Sequence, residues 1–229
     1  MKLRTIAIAA FAAVTLHAQA DIVALWDYSA TPTTTKQTQS ANGASFAAIG
    51  GVITSFSAGV TTQALGTATY AAQGAGDMTR GVQYMVDTSG YTDLVLTFAQ
   101  RDSNTASAWT TLQYTLDGST WTTATSFQMP AASSTLFVQG ITFDFSSITG
   151  ADDNVNFGIQ LLATFAPGTS AYLATGTGST YGTAGTIRYD NVLFSGTVIA
   201  DPVPEPSTYA MLLAGVGVIS LLARRRRAN

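Results

Sequence analysis

The sequence predicts an all-β fold: a jelly-roll-like antiparallel β-sandwich, flanked by an N-terminal signal helix and a C-terminal transmembrane helix. Three observations predict it. Between the two ends Thr is abundant, aromatics are spread out and Leu-rich helical periodicity is missing, which is strand-like usage. Several runs in this body alternate apolar and polar residues with period two, the mark of half-buried antiparallel strands. Each end carries a short apolar run beside basic residues, the pattern of membrane topology signals.

Residues 1–20 read as a secretory signal peptide. Lys2 and Arg4 form the basic start, and 6–16 is an apolar stretch too short to span a bilayer. Ala18 and Ala20 supply the small residues that signal cleavage requires, with the cut expected before Asp21.

Residues 21–200 form the expected extracellular body, long enough to bury a core without staples. Leu94, Leu96 and Phe98 share one face, as do Ile141, Phe143 and Phe145. Val155, Phe157, Ile159 and Leu161 face one way, against Asn154, Asn156, Gly158 and Gln160. Asp117-Gly118 between 110–116 and 120–127 is a hairpin signal. Further breaks fall at Ser89-Gly90, Thr149-Gly150 and Pro167-Gly168. About eight to ten strands are expected, which favours two packed sheets. The Thr-rich stretch 31–39 and the Gly/Thr stretch 175–185 read as mobile loops. Gly176 and Gly178 lack the strand–helix context of a nucleotide fingerprint.

Charge and composition narrow the function classes. From Asp21 to Val203 there are twelve Asp, no Glu, one Lys and three Arg, a net charge of −8. That balance disfavours nucleic acid, whose phosphates need clustered Lys and Arg. The chain has no Cys, and its one His, His17, falls in the signal segment. The body therefore has neither thiol nor imidazole, which excludes Ser-His-Asp and Cys-His catalysis and His-containing zinc sites. No catalytic residue is assigned, and the chain is expected not to be an enzyme. An Asp-based glycoside hydrolase is the remaining catalytic alternative, and it requires two carboxylates about 5–10 Å apart.

At the other end, 201–207 is a Pro-rich linker in which three prolines at alternating positions forbid helix and central-strand pairing. An apolar run, 208–223, follows. As a helix it would be about 24 Å long, with arginine side chains reaching the headgroups to extend its span. Arg224, Arg225, Arg226 and Arg227 form a stop-transfer cluster within the tail 224–229, placed in the cytoplasm by the positive-inside tendency. Val203-Pro204-Glu205-Pro206-Ser207-Thr208, a short apolar helix containing Gly215 and Gly217, and a terminal Arg run together resemble the PEP-CTERM sorting signal, over about the last 27 residues. The resemblance implies processing by a membrane-embedded protease, exosortase, with Pro204, Glu205 and Pro206 as the recognised sorting motif. It also implies a link with exopolysaccharide or biofilm. The competing reading of the tail is a permanent single-span anchor.

Two shorter stretches of the body carry resemblances of their own. Residues 187–196 are similar to the last strand of carbohydrate-binding jelly-roll modules. Residues 109–121, with Leu112, Tyr114 and Asp117-Gly118, resemble an internal hairpin of exported β-sandwiches. Trp109, Tyr114 and Trp121 are accordingly candidates for stacking on sugar rings. Packing is the competing reading, with Trp109 and Trp121 paired across one hairpin. Asp190 and Asp152 are candidate ligands for a structural calcium ion, although the Asp152 loop fails the EF-hand pattern: Gly158 falls one place late and Ala163 stands where the closing Glu belongs. No other cofactor is expected. The leading reading is a non-catalytic surface or extracellular-matrix protein. The alternative is a carbohydrate-binding module. The expected partners are the membrane during export, an exosortase-like protease and polysaccharide.

Overall fold

The computed structural model describes residues 20–29, 39–200 and Arg224. Two compact units divide the chain, Met1–Val198 and Ile199–Asn229. In the second unit only Ile199, Ala200 and Arg224 are described, and Arg224 is helical and exposed. Ala18, the PEP residues 204–206, the apolar run 208–223 and Arg225 to Arg227 lie outside the described residues. Among the described residues no helix is long and apolar enough to cross a membrane.

The first unit is a two-sheet β-sandwich. Its strands, in chain order, are β1 Ala20–Trp26, β2 Gln39–Ser40, β3 Ala44–Ile49, β4 Ile53–Ala58, β5 Gln63–Ala68 and β6 Gly81–Val86. There follow β7 Tyr91–Asp102, β8 Trp109–Thr115, β9 Thr122–Gln128, β10 Val138–Asp144, β11 Gly158–Ala163 and β12 Ile187–Val198. The count exceeds the expected eight to ten because β2 has only two residues and the turn-rich 39–68 stretch yields three further short strands. One sheet runs β10-β7-β12-β1-β2, with β5 also on β12 and β4 on β5. The other runs β3-β6-β11-β8-β9. All named pairs are antiparallel.

β12 organises the first sheet. One edge pairs with β7, while the other is shared, β5 taking Ile187–Tyr189 and β1 taking Val192–Thr197. Between the two shared stretches the register slips, and Asn191 takes a positive φ of 48°. This is a β-bulge, which lets one strand change partners without losing its inward face.

The alternation read from sequence holds where strands form. Leu94, Leu96 and Phe98 are buried, as are Phe157, Ile159 and Leu161. Val155 departs from the pattern: it is 63% exposed, because it belongs to the turn before β11 and has no opposing sheet. Aromatic rings join the two sheets edge to face. Trp26 meets Tyr84 at 5.0 Å, Phe194 meets Phe157 at 6.3 Å, and Phe157 meets Phe145 at 5.3 Å. Such contacts add to the burial of these large side chains.

The stretch 175–185 has no strand but is not loosely held. Thr175 is buried and its N–H donates to Ala106, while the Tyr181 hydroxyl donates to the Ala71 carbonyl at 2.7 Å. Buried polar contacts of this kind pin a loop that composition alone marks as mobile. Most of 31–39 lies outside the described residues.

Gly81, buried at the start of β6, faces Leu162 on β11, and a Cβ there would run into the carbonyl oxygen of Leu161. Replacing Gly81 with Ala is expected to destabilise the unit by about 1–3 kcal/mol, read as a lower urea midpoint at unchanged m.

Candidate functional site

The β8–β9 hairpin sorts the predicted aromatics. Asp117-Gly118 makes the turn, with Gly118 at φ 77° and one Asp117 oxygen accepting from Ser119 N–H, Thr120 N–H and the Thr115 hydroxyl. Those donors hold the exposed Asp117 carboxyl well below the usual carboxylate range. Leu112 is in the core, so Tyr114, two residues on, faces inward as well, and its ring meets Phe145 at 6.4 Å. Trp109 points to the opposite, outer face and is half-buried. Its cross-strand partner is Gln128, while Thr122, next to Trp121, sits opposite Tyr114. The two tryptophans thus stand at opposite ends of the hairpin. They do not pair, and the three aromatics form no common platform.

The outer face of the second sheet carries a feature that single strands do not reveal. Gln83, Gln160 and Gln113 are successive cross-strand neighbours on β6, β11 and β8, followed by Thr123 on β9. Their flanking residues Val82, Tyr84, Ile159, Leu161 and Leu112 fill the core, so the amides lie on the outer side, Gln83 and Gln113 half-buried and Gln160 buried between them. Gln160 donates to Gln83 at 3.0 Å and Gln113 to Thr123 at 3.3 Å. A Gln amide offers two N–H donors and a carbonyl acceptor. The row therefore keeps hydrogen-bonding capacity for hydroxyl groups of a ligand. Sequence alternation marked Gln160 as outward, but the row depends on register across four strands.

The two candidate calcium ligands sit apart. Asp190 lies on the outer side of β12, buried beside the β4–β5 turn. Its two oxygens accept from Val60 N–H at 2.7 Å and Asn191 N–H at 2.8 Å, so it ties that turn to the bulge. Asp152 is half-buried, and one of its oxygens has no hydrogen-bond partner among the described residues. Burial raises the carboxyl pKa of both. Among the described residues no group of three or more acidic, His or Cys side chains could hold a metal ion.

Sequence reasoning passed over Asp102. It ends β7 facing inward, fully buried, accepting from Gln100 Nε2 at 3.0 Å and from the Thr175 hydroxyl at 3.4 Å. Burial pushes its carboxyl up to about 7. Such a value would suit a general acid, but the Asp102 side chain is fully buried and its hydrogen bonds go to Gln100 and Thr175.

Comparison with known proteins assigns the C-terminal segment. Residues 202–227 match the PEP-CTERM protein-sorting motif. The PEP-CTERM segment marks an exported chain that is sorted to the cell envelope. No curated protein shows significant sequence similarity to this chain. Among solved structures, the CBM22-1–CBM22-2 tandem of Xyn10C from Paenibacillus barcinonensis aligns at TM-score 0.48 and 12% identity, over 83% of this chain and 52% of that one. The CBM22-1–GH10 modules of Xyn10B from Clostridium thermocellum, complexed with xylohexaose, align at 0.42 and 8%, over 81% and 29%. A xylan-binding CBM 22 domain aligns at 0.37 and 12%, over 68% and 88%. The chain thus spans only about half of the first of these and less than a third of the second. Likeness at this level assigns no ligand to this chain.

Asp102 generates a pH prediction. Its pKa is raised on folding, so between pH ~4 and ~7 the folded form holds a proton that the unfolded form has lost. Its contribution is full below pH ~4 and is lost as pH rises to about 7, a change on the order of 4 kcal/mol. Asp102→Asn, which keeps an acceptor for Gln100 and offers Thr175 a donor, is expected to flatten this slope and raise the melting temperature above pH 7. Thermal melts across that range check it.

Proposed function

We propose that this is a non-catalytic protein of the bacterial cell surface or extracellular matrix, delivered by its signal peptide and processed at its PEP segment by an exosortase-like protease. The observation that carries the reading is the sorting motif over 202–227. The physical argument has three steps. The apolar run partitions into the bilayer, and the arginines resist crossing it. The prolines keep the outer segment extended and accessible to a protease. Glu205, the one Glu of the chain, adds a charged recognition point between Pro204 and Pro206. The −8 charge of the body argues against a nucleic-acid partner. An association with exopolysaccharide or biofilm fits this reading.

The test is a triple change of Pro204, Glu205 and Pro206 to Ala in a host that has the sorting protease. Export should continue while an unprocessed, membrane-bound form accumulates, seen by fractionation and intact mass. Trimming and release as in the wild type would reduce the tail to an anchor.

A second reading has its own observation. The amide row of Gln83, Gln160 and Gln113 supports polysaccharide binding by the outer face of β3-β6-β11-β8-β9, with uncharged hydrogen-bonding groups matched to sugar hydroxyls. Trp109 and Trp121, both half-buried, stand at the two ends of its hairpin. Gln113→Ala with Gln160→Ala is expected to weaken retention of the protein on neutral xylan in affinity electrophoresis roughly tenfold, with the melting temperature little changed. Equal retention would remove the amide face from the account.

A further inference from the structure

The positive charge of the body is scarce, and the fold gathers much of it at one place. Only four basic residues lie between Asp21 and Val203: Lys36, Arg80, Arg101 and Arg188. Arg101 on β7 and Arg188 on β12 are direct cross-strand partners. Their neighbours Gln100, Asp102, Ile187 and Tyr189 are buried, so alternation turns both guanidinium groups to the outer face of the first sheet. Side chains directly opposite each other lie about 5 Å apart at Cβ, and like charges there repel.

Nothing in the described protein relieves the repulsion. Among the described residues neither guanidinium bonds to a carboxylate, and the one hydrogen bond formed is a long one, from Arg188 to the Ala58 carbonyl at 3.4 Å. Asp102, next in sequence to Arg101, is committed to Gln100 and Thr175 on the inner side. The pair opens instead on a cavity of about 330 Å³ at the end of β7 and β12. Asp102 also lines it, with its carboxyl held by Gln100 and Thr175, and the remaining walls are uncharged polar groups, including Ser103, Asn104, Ser134 and Thr135. The volume lies at the small end of the range for small-molecule sites.

We propose that this cavity binds a carboxylate-bearing sugar unit of an acidic polysaccharide. The two guanidiniums take the carboxylate, and the hydroxyl and amide walls take the ring hydroxyls. Planar guanidinium donors match a carboxylate in paired hydrogen bonds. A densely charged polyanion such as nucleic acid fits less well, because two cations stand in a body of net charge −8. The site lies on the sheet opposite the amide face, and it rests on the polysaccharide reading only in taking a sugar as the carrier of the charge.

The experiment is calorimetric titration of the purified full-length protein in detergent with an oligogalacturonate. Its methyl ester, a neutral xylo-oligosaccharide and sodium sulfate serve as comparisons. The acid oligomer is expected to bind, and to weaken as salt rises from about 50 to about 300 mM. Esterification, or the double change Arg101→Gln with Arg188→Gln, should each weaken it roughly tenfold or more. The ester arm needs no variant, so it stands even if the double variant folds poorly. Equal binding of acid and ester would overturn the proposal, as would an intact, folded double variant that binds like the wild type. Sulfate binding without oligogalacturonate binding would assign the pair to a free inorganic anion and overturn the sugar. Xylo-oligosaccharide binding with no preference for the acid would sink this inference and leave the amide-face reading standing.

Discussion

The sandwich depends on one strand, β12. It pairs along its length with β7, and its other edge is divided between β5 and β1. The first sheet therefore cannot be completed until residues 187–198 are in place: β7 pairs with β10, β1 with β2 and β4 with β5 without it, but β12 is what joins them into one sheet. Contacts of such sequence separation carry a high loop-closure cost and make for slow folding. The bulge at Asp190 and Asn191 is where the shared edge changes hands, and Asp190 fastens it by accepting two backbone N–H groups. That role accounts for a buried carboxylate without invoking a metal ion.

Around β12 the interior is closed by rings rather than by aliphatic side chains alone. Trp26 and Phe194 project from the first sheet towards Tyr84 and Phe157 in the second. Tyr28 and Tyr84 join hydroxyls at 2.7 Å within this core, and burial lifts both phenols above their ordinary pKa. The two outer faces are left to differ. One bears a row of amides, and the other bears a pair of cations beside a polar cavity. The two faces thus differ in chemistry, neutral hydrogen-bonding groups on one and paired cations on the other.

Much of the architecture was legible because period-two alternation reports which side of a strand meets the core. The runs at 94–98, 141–145 and 157–161 follow it, and Asp117-Gly118 turns where turn chemistry requires. Val155 escaped because alternation continues on paper past the point where pairing stops. The loop 175–185 escaped because Gly and Thr signal flexibility only when no buried partner claims them, and here Ala106, Asn104 and Ala71 do. Tyr114 was a surface candidate by residue type, yet its place two residues from Leu112 on the same strand turns it inward.

By itself the sequence determined the C-terminal sorting segment and the fold class, since both are written in local order: prolines before an apolar run and arginines in one, alternation of apolar and polar residues in the other. Only the tertiary structure decided what stands beside what. Gln83, Gln160 and Gln113 form a row, and Arg101 faces Arg188, because cross-strand register brings together residues far apart in the chain. Asp102 acquires an elevated pKa because packing strips its water. Register and desolvation are properties of the assembled sheets, where the cost of burying each face is balanced over all strands at once, and no single segment carries that balance.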